Sequence, residues 1–254
     1  MNEREYEKMK ELEEVYWWHV GRRAIIRVIL KKYFSILSQQ EKNCPLLLDF
    51  GCGTGGNALL LKEFGEIIGA DSSPTALRIA QESSFSKLIL INEIRLPFEN
   101  NTFDCVTLLD VLEHIENDDD AISECRRVLK PGGSLILTVP AYQWLFSGHD
   151  EALNHKRRYL MKNLTKQISG AGFRIYFKSY AITFLFPLMA LYRLTERVFK
   201  RKQKASYVLF PESINNFFIL LLKIEALAFK IGASFPFGTS IIMCARKQLK
   251  PPRR

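Results

Sequence analysis

The chain alternates between short apolar runs and stretches with apolar residues every three or four positions. Residues from Glu3 to about 37 carry helical spacing in two helices, the second placing Ile25, Val28, Ile29, Leu30 and Phe34 on one face. Pro45-Leu46-Leu47-Leu48-Asp49-Phe50 is a short apolar run ending in glycines, the pattern of a buried parallel strand. Further strands are predicted at 66–70, 87–91, 103–109, 134–139, 173–180 and 239–247, with helices at 56–64, 74–82, 118–129 and 164–171 between them. Ser73 and Pro74 suit the cap and first position of one helix, Lys130-Pro131-Gly132-Gly133 ends another, and Gly172 a third. Strands and helices alternate, so the fold class is α/β: a doubly wound, mostly parallel seven-stranded sheet.

Residues 181–235 break the alternation. They read as two apolar helical segments, 184–200 and 213–231, joined by the basic run Arg193, Arg197, Lys200, Arg201, Lys202 and Lys204. The first apolar part, 181–194, contains Pro187 and falls short of the ~20 residues a spanning helix needs. The second has Lys223 and Glu225 at its centre. Asn216, Lys223 and Lys230 form a polar stripe, with Glu225 nearly opposite and facing the apolar side. Three readings compete: a cap over an acceptor pocket, an element lying on an anionic membrane surface, or a subunit interface. Glu225 is expected to be buried and paired with an arginine, or to face the acceptor. The chain thus divides into an N-terminal helical lid (1–40), an α/β core (41–180 and 236–247) and this insertion.

Composition narrows the class. The 254 residues are 47% hydrophobic and 25% charged, as in a globular core. Five scattered cysteines with no Cys-x-x-Cys pair argue against a zinc site and for reduced thiols in a cytoplasmic protein, and no metal is called for. Met1 to Glu14 is acidic and polar, unlike a signal or transit peptide. The net charge of +9 favours anionic partners, with a second basic cluster at Lys156-Arg157-Arg158. There is no added nucleic-acid-recognition domain and no Asn/Asp-Pro-Pro-aromatic motif, so nucleic acid is disfavoured as a partner. Oligomeric state is left open.

The chemistry starts at Asp49-Phe50-Gly51-Cys52-Gly53-Thr54-Gly55-Gly56, where a first strand turns into a helix. Glycines permit a tight turn and close ligand approach, and the helix start offers free N–H groups. Asp71 ends the next strand, placed to accept hydrogen bonds from both ribose hydroxyls of a nucleotide. Gly51, Gly53 and Gly56 also match the dinucleotide pattern G-x-G-x-x-G, so the loop alone leaves a nicotinamide-dependent oxidoreductase open. A non-catalytic cofactor-binding protein is a third possibility. Leu96-Pro97-Phe98, Phe103-Asp104-Cys105-Val106, Asp110-Val111-Leu112-Glu113-His114-Ile115 and Leu129-Lys130-Pro131-Gly132-Gly133 follow in order at the ends of successive elements. With the glycine loop and Asp71, this set closely resembles the class I S-adenosylmethionine-dependent methyltransferases, of the branch with LPF and VLEH signatures. The resemblance is strong from Leu46 to Val139 and looser over Tyr16-Trp17-Trp18-His19, Arg22-Arg23 and His155 to Tyr159.

It implies S-adenosyl-L-methionine as cofactor. Asp49 and the loop Gly51, Cys52, Gly53 and Gly55 would hold its methionine part, Asp71 the ribose and Ser72 the adenine. The family often has an acid four residues before the LPF leucine, where this chain has Asn92, with Glu93 beside it. Leu109 and Asp110 would lie near the sulfonium.

Methyl transfer is an in-line displacement that needs alignment and exclusion of water, and a base only if the acceptor carries a proton. His149, Asp110, His114 and Asp150 are the candidate bases, His149 first because an ordinary imidazole titrates near working pH. Trp17, His19 and Arg22 from the lid, His155, Arg157 and Arg158 beyond the fifth strand, and Glu225 are the candidate acceptor contacts. The expected acceptor is lipophilic or anionic, either lipid-linked or a small soluble metabolite.

Overall fold

The computed structural model describes residues 3–34, 44–92, 94–198 and 207–249. Helices α1 (Glu3–Leu12) and α2 (Trp17–Ile29) lead through a π-turn at Leu30–Phe34. Then come β1 (Leu46–Phe50), α3 (Ala58–Leu61), β2 (Glu66–Asp71), α4 (Pro74–Ala80), β3 (Lys87–Leu90) and β4 (Phe103–Leu109). The second half runs α5 (Asp118–Val128), β5 (Leu129–Pro140), α6 (Gly148–Ala152), α7 (Met161–Gly170) and β6 (Phe173–Ala181). It ends with α8 (Phe186–Val198), α9 (Glu212–Lys230) and β7 (Ser240–Lys247). The sheet order is β3-β2-β1-β4-β5-β7-β6. β1 to β5 pair in parallel, and β7 is antiparallel to both β5 and β6. The order reverses between β1 and β4, which leaves a crevice at their C-terminal ends.

Side chains alternate across the sheet. Leu48, Val106 and Leu137 face a core built with α5 and α7. Leu47, Cys105 and Ile136 face a second core built with α2 and α9. The inner face of α9 (Phe218, Leu222, Ala226, Phe229) is therefore part of the fold's own core. α2 and α9 touch closely: a Cβ at Gly21 would sit 2.2 Å from Leu222 Cδ1. Asn215 ties the α2 start by accepting from the Trp17 N–H (2.9 Å) and donating to the Val15 carbonyl (2.8 Å).

Several boundaries differ from the sequence expectation. The helix expected at 56–64 shrinks to α3, because the glycine loop runs on to Asn57. β5 begins at Leu129, pairing with Phe103 before a register shift takes the ladder to Ser134 opposite Cys105. α6 was not expected, and it forms on a capping box between Ser147 and Asp150. α4 starts as predicted, with the Ser73 hydroxyl accepting from the Ala76 N–H.

Glu225 corrects the expectation of an arginine partner. It is fully buried, but it accepts from the backbone N–H groups of Ile182 (2.6 Å), Thr183 (2.7 Å) and Phe184 (3.4 Å). Ile182 sits at φ +59°, so β6 ends in a strained turn with free donors, and those donors claim the carboxylate. Glu225 is a tie between α9 and this turn, set apart from the cleft described next. Burial raises its pKa against the pull of the three N–H groups.

Candidate active site

A cleft of about 930 Å³ opens over the C-terminal ends of the strands, beneath α1, α2 and α8. One end is the glycine loop. Gly51 lies at φ +75°, and a Cβ there would meet Val111 Cγ2 at 2.5 Å, so no other residue fits. Gly53 is at φ +53° with open space around its Cα, and its N–H donates to Asp71 Oδ2 at 2.8 Å. The Ser73 N–H donates to the other Asp71 oxygen at 2.8 Å, which fixes the carboxylate at the cleft edge beside Ser72. Each oxygen keeps a lone pair for a ligand hydroxyl.

Asp49 lies beneath the loop, accepting from Thr107 Oγ1 at 2.6 Å, while its Oδ2 has no partner. Burial pushes its pKa up to about 6. Cys52 is buried and its thiol is pushed far up by burial, so it is packing in a tight turn and no nucleophile. The lid helix engages the loop directly: Glu13, almost fully buried, accepts from the Thr54 hydroxyl, and Tyr6, Met9 and Glu13 line the cleft. Gly55 supports the turn without lining the cleft, packing against Ser83. Asn92 is exposed and bridges to Arg95, and Ile91 and Ile94 line the wall instead. Glu93 lies outside the described residues.

Beside Leu109, Asp110 has φ +59° and Oδ2 at 2.6 Å from Arg22 Nη2. Arg22 also donates to Thr138 Oγ1 (3.2 Å) and stacks on Trp18. The expected base Asp110 and the expected acceptor contact Arg22 both line the cleft, and they are paired with each other there. Trp18 and His19 line the cleft. Trp17 does not; it is buried against Phe218 as an anchor. Burial and Arg22 hold the His19 pKa near 3.

The His155-Lys156-Arg157-Arg158 run splits. His155 Nδ1 lies 2.9 Å from Asp150 Oδ1, and Arg158 grips the same buried carboxylate with Nε (2.8 Å) and Nη2 (3.0 Å). Burial opposes the charge on Asp150, but His155 and Arg158 outweigh it and hold the carboxyl below its usual range. Lys156 and Arg157 turn outward to Glu116 and Asp118, so Arg157 does not reach the cleft. His149 lines the cleft, but burial and then Arg193 lower its pKa to about 4. It is neutral at working pH and a weak base, contrary to the ordinary imidazole expected. Burial and then His155 likewise lower His114 to about 4.

Sequence reasoning missed Glu113 as an individual residue. It is fully buried, lines the cleft, and neither carboxylate oxygen has a partner. Burial and then Asp110 push its pKa well up. The signal was present in its place beside Asp110 and His114, but burial is invisible in one sequence.

Residues 48–137 match the family model for a methyltransferase domain. Over that stretch the chain resembles methyltransferase domains, and its seven-stranded sheet has the fold of the class I methyltransferases. The residues fit S-adenosyl-L-methionine as cofactor: an open glycine cradle, and a carboxylate fixed at the second strand end with lone pairs to spare. The demethylmenaquinone methyltransferase of Lactiplantibacillus plantarum is 35% identical, over 40% of this chain and 52% of its own. The sterol 4-C-methyltransferase strm-1 of Caenorhabditis elegans is 36% identical, over 35% of this chain and 29% of its own. The chain spans about half the length of the first of these relatives and less of the second. Among solved structures, phosphoethanolamine N-methyltransferase 2 of Haemonchus contortus, in complex with S-adenosyl-L-methionine, shares the fold. Its TM-score is 0.53 at 21% identity, over 86% of this chain and 52% of that one. The methyltransferase domain covers the glycine loop, Asp71, Asp110 and Glu113, whereas the lid and the insertion lie outside it.

Proposed function

We propose that this chain transfers a methyl group from S-adenosyl-L-methionine to a lipophilic acceptor that enters from a membrane surface. One observation carries the reading: the far half of the cleft is walled by the insertion, through Leu188, Met189, Tyr192, Val208, Phe210 and Phe218. An apolar acceptor gains from burial against such a wall. Outside it, α9 exposes Phe217, Leu220, Ile224 and Leu227 on one stripe, and α8 exposes Leu191 and Leu194. Lys223 and Lys230 are exposed on the same helix. Exposed apolar stripes with lysines beside them suit a helix lying in the headgroup region. Among the described residues, no helix is long and apolar enough to cross a membrane. Of the basic run, Lys200, Arg201, Lys202 and Lys204 lie outside the described residues, as does the Arg197 side chain. The two relatives named act, by their names, on demethylmenaquinone and on a sterol.

When bound, the cofactor supplies an activated methyl group on a sulfonium. The chain's own part is positioning. Gly51, Gly53 and Asp71 hold one end, the Arg22–Asp110 pair fixes the β4 end beside Leu109, and α1 and α2 exclude water. The test is transfer of labelled methyl from S-adenosyl-L-methionine into the organic phase of a lipid extract. The reading expects label there, and less when Phe210 or Met189 is changed to Asp. Label confined to water-soluble products would refute the lipophilic acceptor.

A further inference from the structure

Glu113, His114 and His155 bring one carboxylate oxygen and one nitrogen from each imidazole within 4.8 Å of one another, on the wall of the cleft. Three features distinguish this cluster from a chance polar contact. Glu113 is fully buried, yet both its oxygens lack a partner. An unpaired buried carboxyl is costly and calls for a ligand. His155 has its Nδ1 committed to Asp150 at 2.9 Å, which leaves Nε2 as its ligating atom. The His114 ring meets the His155 ring edge to face, with centroids 4.7 Å apart, so the two imidazoles are held together at the cleft wall. A ring held through its second nitrogen by a carboxylate or carbonyl is the arrangement that orients metal-bound histidine. Asp150 is itself held by Arg158 through two hydrogen bonds, so the support behind His155 is rigid.

We propose that Glu113, His114 and His155 bind a divalent first-row transition ion. Two imidazoles and one carboxylate suit Zn²⁺, Mn²⁺, Fe²⁺ or Co²⁺ rather than Mg²⁺ or Ca²⁺, which prefer oxygen-only sets. This departs from the expectation that no metal is called for, which weighed the cysteines alone. The cluster opens on the same cleft as Asp110 and Leu109, so positions not taken by protein are available to an acceptor hydroxyl. There the ion lowers the hydroxyl pKa and the proton leaves to water. The oxygen lone pair then forms the O–C bond while the S–C bond breaks with its electrons passing to sulfur, leaving a neutral thioether. This second part rests on the methyl-transfer reading; ion binding does not. It gives the site a route to an oxygen nucleophile that needs no side-chain base.

The test uses the full chain, metal-depleted and without cofactor or acceptor. Zn²⁺ retention is measured by equilibrium dialysis, with Cys44→Ser as background because Cys44 is an exposed thiol. One Zn²⁺ per chain is expected, with affinity falling at least ~10-fold in Glu113→Gln and in His155→Ala, and ~10-fold in the positioning variant Asp150→Asn. Co²⁺ loaded into the parent chain is expected to show a nitrogen–oxygen ligand spectrum with no thiolate charge transfer. It should also protect His114 and His155, read by mass spectrometry, from carbethoxylation. The second pair of readouts stands even if a variant fails to fold. No Zn²⁺ retained by the parent, unchanged affinity in folded Glu113→Gln and His155→Ala, or unprotected histidines would each overturn the site. Binding with no methyl transfer would overturn the functional reading and leave the site standing.

Discussion

Asp49→Asn separates what the glycine loop does for the cofactor from what it costs the fold. Asp49 is buried to 1% exposure, keeps one hydrogen bond from Thr107, and has one oxygen with no partner. Its pKa rises from 3.8 to about 6, chiefly through burial. Each decade is worth about 1.4 kcal/mol, so holding this charge costs the folded state about 3 kcal/mol at neutral pH. The sign follows from proton binding. The folded pKa lies above the unfolded one, so the native state holds the extra proton and stability falls as pH rises from about 4 through about 6. Asparagine keeps the oxygen that Thr107 bonds and removes the charge. Its amide nitrogen takes the place of the unpartnered oxygen, which costs about 1 kcal/mol. The variant should therefore be about 2 kcal/mol more stable than the parent at about pH 8, with no gain at about pH 4. Urea denaturation at both pH values, without cofactor, reads the difference, and S-adenosylhomocysteine affinity should fall in the same variant. A variant equal to or less stable than the parent at the higher pH would refute the reasoning.

Other outcomes follow from the same geometry. Glu225→Gln places an amide nitrogen against at least one of the three N–H groups it serves, and should lower stability by about 2–4 kcal/mol in chemical denaturation. Unchanged stability would remove its role as a tie. Gly21→Leu cannot be seated against Leu222, so the α2–α9 contact should open and the melting temperature should fall by several degrees at least. Changing Phe217, Leu220, Ile224 and Leu227 together to Ser alters an exposed face, so stability should hold while co-sedimentation with anionic vesicles is lost. Equal vesicle binding by both forms would place the membrane contact elsewhere.

Much of the frame was legible because it depends on local pattern. β4 was read to its exact ends, and the other strands to within a residue or two, save β5, whose start lies across Pro131 and Gly132. Gly51, Gly53 and Asp71 were legible because a tight turn and a strand-end carboxylate leave marks in sequence. Pairings between distant elements were not. Arg22 meets Asp110 across the sheet, and Glu225 finds the turn at Ile182 to Phe184 because β6 ends in a strained conformation that no residue type announced. The split of His155 and Arg158 from Lys156 and Arg157 depends on Asp150, whose burial comes from an unforeseen short helix. The altered pKa values of His149 and His114 likewise follow from burial by elements remote in sequence.

The central claim is that the crevice at the β1/β4 reversal is built for S-adenosyl-L-methionine. Calorimetric titration of the full chain with S-adenosylhomocysteine and, separately, with NAD tests it most directly. Saturable one-to-one binding of S-adenosylhomocysteine, weakened at least ~10-fold in Asp71→Ala as two charge-assisted hydrogen bonds are lost, with no heat from NAD, is the predicted result. Binding of NAD with none of S-adenosylhomocysteine would contradict it.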